Sequence, residues 1–107
     1  MKKADLSHAN LSNANLEKAD LSSANLQFAN LCNTNMIEAK LRDADLEGTK
    51  FDGANLIKCN LRGSKNLNYT QLLSCASLYE ARGITGSLLE KLKEEKPSLF
   101  EKPVNNF

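Results

Sequence analysis

The sequence predicts an all-β solenoid, in which the chain winds into a short coil around an apolar interior. The first observation is a large apolar residue at every fifth position: Leu6, Leu11, Leu16, Leu21, Leu26, Leu31, Met36, Leu41, Leu46, Phe51, Leu56 and Leu61. The second is a small residue two positions before each of these: Ala4, Ala9, Ala14, Ala19, Ala24, Ala29, Thr34, Ala39, Ala44, Thr49, Ala54 and Cys59. The unit is therefore small, polar, large apolar and two polar residues, repeated twelve times.

A period of five fits neither a helix nor an uninterrupted strand. An α-helix turns about 100° per residue, so a step of five rotates successive leucines by about 140° and leaves no apolar stripe. Side chains alternate along a strand, so an odd period would point successive leucines to opposite faces. The chain must therefore change direction within each repeat. The first three residues form a side with both apolar members facing inward, and the two polar residues form a corner.

The repeat resembles the signature of pentapeptide-repeat proteins, Ala-(Asp/Asn)-Leu-X-X. The runs that carry this resemblance include Ala4-Asp5-Leu6-Ser7-His8, Ala9-Asn10-Leu11-Ser12-Asn13 and Ala14-Asn15-Leu16-Glu17-Lys18, and it covers about residues 4 to 63. In that family four repeats make one square turn of a right-handed parallel β-helix. The resemblance therefore implies a quadrilateral β-helix of about three coils, in which residues twenty apart stack.

The repeat register ends near Gly63, because an in-frame continuation would bury Asn66 where a large apolar residue belongs. We therefore divide the chain into a repeat stem over residues 1–63 and a C-terminal helical capping extension over residues 64–107. Terminal repeats of a solenoid need such a cap, because each repeat contacts only its neighbours.

A short helix is predicted from about Tyr69 to Cys75. Asn68 can accept a hydrogen bond as its N-cap residue, and Gln71 follows three residues later, as in a capping box. Leu67 and Leu72 occupy the flanking positions of a hydrophobic staple.

A second helix is predicted by the spacing of three leucines, Leu88, Leu89 and Leu92. Pro97 ends it. Its start stays open, because Thr85 could cap it with a staple from Ile84 to Leu89, whereas Ser87 followed by Glu90 would form a capping box.

The other end of the stem has no visible cap, because only Met1, Lys2 and Lys3 precede the first repeat. An exposed coil end presents unpaired backbone groups that can recruit another chain, so a homodimer through this end is one prediction. Two alternatives stay open. Lys2 and Lys3 could discourage such pairing, or the chain could be excised from a longer protein.

Composition excludes several classes of protein. The 107 residues carry 14 basic and 13 acidic side chains without a long run of either sign, so we expect one domain without direct nucleic-acid affinity. No apolar stretch approaches the ~20 residues of a membrane span, so we expect no membrane contact. The start of the chain begins a repeat rather than a signal peptide, which predicts a cytoplasmic location and three reduced cysteines.

If residues twenty apart stack, the outward side chains form four walls, numbered in chain order from the repeat that begins at Ala4. Wall three carries the strongest interaction signal, because Ile37 and Ile57 stand where this unit normally places polar residues. Together they would form an apolar patch beside Asn35 and Asn55. Two alternatives stay open: part of the C-terminal extension could fold back over this wall, or exposed isoleucines could simply be tolerated.

Charge distinguishes the other walls. Wall one has no Lys or Arg and carries a weaker candidate, Phe28 beside the acidic Asp45 and Glu47. Wall four is the only net-positive wall, with these charged residues: Asp20, Lys40, Arg42, Asp43 and Arg62. At the corner of wall three the sign alternates along Lys18, Glu38 and Lys58. The candidate interaction surface is Ile37, Ile57, Asn35, Asn55, Phe28, Asp45 and Glu47.

The residue types argue against an enzyme. The only histidine is His8, and Cys32 lies on a different wall and turn, so this register forms no Cys-His pair. The sequence has no metal-ligand spacing, P-loop or dinucleotide motif, so we expect neither metal nor cofactor. We predict a non-enzymatic module for protein interaction or assembly, whose partner is an unknown protein or a second copy of the chain.

The alternative is a DNA-mimicking modulator of a type II topoisomerase, because some members of the resembled family are long acidic β-helical dimers of that kind. Such a mimic needs a charged stripe comparable with the ~1.7 Å charge spacing of duplex DNA. Three coils with a few clustered acids match it poorly.

Overall fold

The computed structural model describes residues 3–104, so Met1, Lys2 and residues 105–107 lie outside the described part. Along the stem, parallel bridges join residues twenty apart, from Asp5 with Asn25 to Asp45 with Lys65. The bridges are isolated, and no longer strand is present among the described residues. A bridge position recurs every five residues, so each turn of twenty residues has four bridge positions.

Backbone hydrogen bonds connect each turn to the next in a repeated pattern. The N–H of Leu6 donates to the carbonyl of Asn25 at 2.8 Å, and the N–H of Asn25 donates back to the carbonyl of Ala4 at 2.8 Å. The corner residue adds a third bond, from the N–H of His8 to the carbonyl of Gln27 at 2.9 Å. The chain thus satisfies its backbone groups between turns although no bridge extends into a strand.

In most repeats, the Asp or Asn before the large apolar residue builds the corner. In the repeat of Leu16, the Oδ1 atom of Asn15 accepts a hydrogen bond from the N–H of Glu17 at 3.1 Å. The next residue, Lys18, has a φ of 60°, and the N–H of Ala19 then donates to the carbonyl of Leu16 at 3.0 Å. Asp and Asn favour such turns because the side-chain oxygen replaces a backbone acceptor.

The large apolar residues that recur every five positions fill the interior. The following residues are fully enclosed: Leu21, Leu26, Leu31, Met36, Leu41, Leu46, Phe51, Leu56 and Leu61. Thr34 and Thr49 replace alanine, and each hydroxyl donates to a backbone carbonyl, those of Leu31 at 2.8 Å and Leu26 at 2.7 Å. Leu6, Leu11 and Leu16 of the first turn are only partly buried.

The bridge ladder continues beyond Gly63, where we expected the coil to end after about three turns. Lys65 pairs with Asp45, and after a helix Ser77 pairs with Asn55 and Arg82 with Asn60. The last two pairs are 22 residues apart instead of twenty, because the helical segment adds two residues to this turn. The stem therefore has a fourth, interrupted turn.

Asn66 does not enter the core, which explains why the coil continues. It takes a φ of 63° and stays exposed, while its Nδ2 atom donates to Oδ1 of Asp45 at 2.9 Å. Leu72 supplies a buried side chain to the core cluster from the following helix.

Helix α1, Tyr69–Leu73, has the predicted capping box. The Asn68 side chain accepts from the N–H of Gln71 at 3.0 Å, and Gln71 Oε1 accepts from the N–H of Asn68 at 2.8 Å. The helix is shorter than predicted because Ser74 is its C-cap residue, so Cys75 lies beyond it.

Helix α2 spans Gly86–Glu95, and its N-cap residue is Thr85, the first of the two predicted caps, although the Thr85 side chain makes no capping hydrogen bond. A 3-10 helix, Pro97–Phe100, follows where Pro97 was expected to end the helix. Leu92 and Leu99 are buried in the core cluster. The N–H of Leu78 donates to the carbonyl of Leu99 at 2.7 Å, so this segment packs against the fourth turn.

Candidate interaction surface

The observed bridges assign residues to the four walls. Wall one contains Asp5, Asn25, Asp45 and Lys65, and wall two contains Asn10, Asn30 and Lys50. Wall three contains Asn15, Asn35, Asn55 and Ser77, and wall four contains Asp20, Lys40, Asn60 and Arg82. Because apolar side chains fill the interior, any binding surface of the stem lies on these walls and their corners.

Wall three does not present the predicted pair of exposed isoleucines. Ile37 is partly exposed, but Ile57 keeps only 7% of its surface accessible. Ile57 lines a groove together with Ala76, Ser77 and residues of the C-terminal segment, Ser98 and 101–104. The extension therefore runs beside this wall, and Ile57 is buried there, which corrects the prediction of a stacked, exposed pair.

Asn35 and Asn55 belong to the corners that carry these isoleucines. The Oδ1 atom of Asn35 accepts a hydrogen bond from the N–H of Ile37, and that of Asn55 accepts from the N–H of Ile57, each at 3.1 Å. Their side-chain oxygens thus stabilise the turns. Both residues also line the shallow groove that contains Ile37 and Glu17.

Asp45 on wall one is held by a hydrogen-bond network between turns. Its carboxylate accepts from Nδ2 of Asn66 at 2.9 Å and from Nε2 of Gln27 at 2.6 Å. The bonds from Asn66 and Gln27 lower the pKa of the Asp45 carboxyl below its ordinary value. Glu47 is exposed and donates its backbone N–H to Asp45 at 3.2 Å. The two acids thus differ: Asp45 joins turns, and Glu47 faces solvent.

Phe28 stands at a corner of wall one with half of its surface accessible. It takes a φ of 59°, like its neighbour in the preceding turn, His8, at 60°. The two rings stack, so the phenyl ring is engaged on one face.

The residues that the fourth turn adds to walls three and four were not predicted from the sequence. Tyr79 and Glu80 follow Ser77 as Ile57 and Lys58 follow Asn55, and Glu80 forms an ion pair with Lys58 at 3.9 Å. The signal was present, because the run from Ala76 to Glu80 repeats the small-polar-Leu-X-X unit. This run is shifted by two residues from the register of the preceding repeats, so a constant period of five does not detect it.

The three cysteines are free and differ in environment. Burial raises the pKa of the Cys59 thiol and of the Cys75 thiol, each to about 12. Cys32 is partly exposed. Protonated buried thiols are poor nucleophiles and poor metal ligands, so Cys59 and Cys75 serve the core.

Two further features bear on the class of site. Within residues 3–104, no group of three or more His, Cys, Asp or Glu side chains could hold a metal ion. Over the same range, neither helix combines the length and apolar character that a membrane crossing requires.

The repeat pattern matches a known family. The family model described as "Pentapeptide repeats" matches residues 1–36 and 39–72, in 8 copies. A comparison with curated proteins finds no match.

A solved structure of a similar protein supports the fold. The chain is similar to a pentapeptide repeat protein from the Arabidopsis thaliana thylakoid lumen, with a TM-score of 0.67, 26% identity and coverage of 80% of this chain and 57% of that one. It is also similar to the pentapeptide repeat protein Rfr23 of the cyanobacterium Cyanothece 51142, at 33% identity, 74% and 56% coverage and a TM-score of 0.32.

A third similar structure is that of QnrB1, a plasmid-mediated fluoroquinolone resistance protein, at 22% identity, with coverage of 87% of this chain and 45% of that one and a TM-score of 0.42. The chain spans about half the length of all three proteins.

Proposed function

The chain belongs to the pentapeptide-repeat family, and on that premise we propose that it is a non-enzymatic module for protein interaction or assembly. We also infer that its stacked turns wind as the right-handed, four-sided β-helix that the family implies. A cytoplasmic location stays a prediction from the sequence.

The filled interior is the observation that carries this proposal. Leu26, Leu46 and the other large apolar residues of the second and third turns have no accessible surface, so the stem holds no internal cavity at these levels for a substrate. Function at these turns therefore depends on flat walls, which suit contacts with another macromolecule better than the enclosure of a small molecule.

Wall three suits contact with a second copy of the chain. Its exposed corner carries four charges in successive turns, in the order Lys18, Glu38, Lys58 and Glu80. Reversing this order exchanges every positive charge with a negative one. A two-fold contact along the corner would thus pair each charge with an opposite charge, because an isologous interface pairs a surface with its own reverse. The partly exposed Ile37 beside the corner adds apolar area.

The test is the solution mass of the full chain by light scattering at several concentrations. The self-association proposal expects a mass above 11.8 kDa that rises with concentration. Glu38→Lys places like charges at the centre of the contact and should abolish association. Adding Lys58→Glu gives the order plus, plus, minus, minus, which is again complementary to its reverse, and should restore association.

Two outcomes would overturn this use of wall three. A monomer at every concentration removes self-association. A dimer that ignores Glu38→Lys moves the contact elsewhere, and the partly buried leucines of the first turn are then the surface to test. Ile37→Lys is the matching apolar variant, whereas Ile57 is unsuitable because it is buried.

The alternative, modulation of a type II topoisomerase by DNA mimicry, has little geometric support. Wall one carries Asp5, Asp45 and Glu47. In the fourth turn, however, Lys65 forms a backbone bridge with Asp45 and adds a positive charge to this wall. A supercoiling assay tests this alternative. Inhibition that weakens when Asp45 and Glu47 are made neutral would support it, and no inhibition at high concentration would remove it.

A further inference from the structure

All three arginines of the chain lie on wall four. Arg42 and Arg62 are twenty residues apart and occupy the same position of successive turns, where the N–H of Asp43 donates to the carbonyl of Arg62 at 3.0 Å. Arg82 lies on the same wall in the fourth turn, where its bridge with Asn60 places it in the neighbouring column of Lys40 and Asn60, two residues before the column of Arg42 and Arg62. The fold thus collects every guanidinium group of the chain on one of its four walls.

The position of Arg82 depends on close backbone packing. The N–H of Arg82 donates to the carbonyl of Cys59 at 2.9 Å, and its carbonyl accepts from the N–H of Leu61 at 2.7 Å. Gly83 then passes so close to the preceding turn that an added Cβ atom would lie 2.5 Å from the backbone nitrogen of Arg62. A glycine with a φ of 95° therefore lets the backbone that follows Arg82 pack directly against the backbone of the preceding turn at Arg62.

Wall four carries four exposed cations against the two carboxylates of Asp20 and Asp43, so it is net positive in a chain whose formal net charge is +1. Arg42, Arg62 and Arg82 are exposed, and so is Lys40. The backbone of Asn60 forms one bridge with Lys40 in the turn before and another with Arg82 in the turn after. In the part of the chain that the structure describes, no carboxylate lies within ion-pair distance of an arginine, and the salt bridge between Lys58 and Glu80 lies on wall three. The guanidinium groups are thus available to an external partner.

We propose that this arginine wall, defined by Lys40, Arg42, Arg62 and Arg82, binds an acidic, extended segment of a partner protein. The proposal deepens and rests on the proposed role as an interaction module. Guanidinium groups bind carboxylates through two parallel hydrogen bonds, a geometry that lysine cannot reproduce. With turns ~4.8 Å apart, the three arginines span about 10 Å along the stem, and alternate side chains of an extended chain recur every ~6.8 Å. Two carboxylates of such a segment therefore fit within the span of the wall.

A protein partner suits this wall better than a nucleic acid. Nucleic-acid affinity typically comes from about six to ten phosphate contacts, and this wall offers four cations. Asp43 also follows Arg42 directly at the corner and would repel a continuous phosphate backbone. A short acidic segment can place its carboxylates on the arginines and avoid Asp43.

The experiment measures fluorescence anisotropy of a labelled peptide with alternating glutamate and serine, titrated with the full chain. We expect binding that weakens about tenfold or more in the triple variant Arg42→Gln, Arg62→Gln, Arg82→Gln, since each hydrogen-bonded charge pair lost contributes substantially. The control variant Lys50→Gln, Lys93→Gln, Lys102→Gln removes the same charge from exposed positions elsewhere and should bind nearly as the wild type. Thermal unfolding confirms that each variant is folded.

Three results would overturn the proposal. These are no binding by the wild-type chain, equal weakening in both triple variants, and undiminished binding when all three arginines become lysine. Tighter, arginine-dependent binding of a single-stranded oligonucleotide would assign the wall to nucleic acid instead. Self-association through wall three does not involve these arginines. If the peptide does not bind while Glu38→Lys abolishes self-association and the added Lys58→Glu restores it, the proposed function stands and only the arginine-wall proposal fails.

Discussion

The phenyl ring of Phe28 stacks on the imidazole ring of His8 in the preceding turn, with centroids 5.3 Å apart and planes 18° from parallel. In the following turn the same corner position is Gly48, and a Cβ atom there would overlap the phenyl ring. The corner column thus consists of two stacked rings and a glycine. Phe28, chosen from the sequence as an interaction residue, has a packing role at this corner.

Gly48→Ala should destabilise the fold by about 1–3 kcal/mol, because it adds the overlap to the strain of a φ of 65°. In a Phe28→Ala background the overlap is gone, so the same substitution should cost clearly less. Urea unfolding followed by circular dichroism measures both differences. Gly53→Ala is the control, because its Cβ would meet Asn33 and Phe28→Ala should not relieve it. An equal cost of Gly48→Ala in both backgrounds contradicts the stacking argument.

Gln71 joins helix α1 to the stem. Its Nε2 atom donates to the carbonyls of Leu46 at 2.6 Å and Thr49 at 3.0 Å, while Oε1 accepts from the N–H of Asn68. Gln71→Ala should lower the free energy of unfolding by about 1–3 kcal/mol, since it removes a cap and leaves part-buried carbonyls without this partner. Gln27→Ala, which loses one side-chain bond to Asp45, should cost less in the same urea titration. An unchanged midpoint for Gln71→Ala would show that the helix is not anchored through this residue.

Asp45 makes stability depend on pH. Its pKa is lower in the folded chain than the ordinary 3.8, because Asn66 and Gln27 donate to the carboxylate. The contribution is therefore complete above the ordinary pKa and is lost as the pH falls through the lowered folded pKa. Asp45→Asn should flatten the acid side of the stability profile, although Asp5, whose pKa the Ser7 hydroxyl lowers, retains some dependence.

The matching measurement is an NMR titration of the Asp45 carboxyl group. Asn66→Ala removes the first of the two side-chain donors and should move this pKa upward, toward the ordinary value. A pKa that stays in place would exclude the bond to Asn66 as its main cause.

The thiols should react at different rates. Cys32 is partly exposed and should react with a thiol reagent in the native chain, while Cys59 and Cys75 should react only after unfolding. A disulfide reagent that releases one coloured thiolate for each cysteine that reacts, applied before and after denaturant is added, counts the accessible cysteines and tests this expectation. In Cys32→Ser the native chain should give almost no signal. Rapid reaction of all three cysteines in the folded chain would contradict the burial of the other two.

Local sequence predicted the parts of the fold that depend on near neighbours. The five-residue period predicted that Leu26 and Leu46 lie inside, while the family resemblance implied that residues twenty apart stack; the capping box of Asn68 with Gln71 formed as expected. Periodicity failed at the fourth turn, because the helical segment shifts the pairing of Ser77 with Asn55 from twenty residues to 22. The length of such an interruption is set by packing across turns, to which a repeat count is blind.

The candidate surface shows the same division. Ile37 and Ile57 are equivalent in the repeat, so their sequence positions predict equal exposure, yet Ile57 is buried beside residues 101–104 and Ile37 is not. Asn35 and Asn55 are candidate surface residues beside the isoleucines by sequence, but in the structure their side-chain oxygens accept hydrogen bonds within the turns. Which wall the extension follows depends on contacts far apart in the chain.

By itself, the sequence determined the repeating turn, the filled interior and the capped first helix, because each follows from side chains within a few residues or at one constant period. The tertiary structure alone decided that Ile57 is covered, that Phe28 packs between His8 and Gly48, and that Arg82 joins Arg42 and Arg62 on one wall. These relationships depend on the register with which the chain returns after helix α1 and on the path of the C-terminal segment. Both are set by the packing of distant residues, which no local pattern encodes.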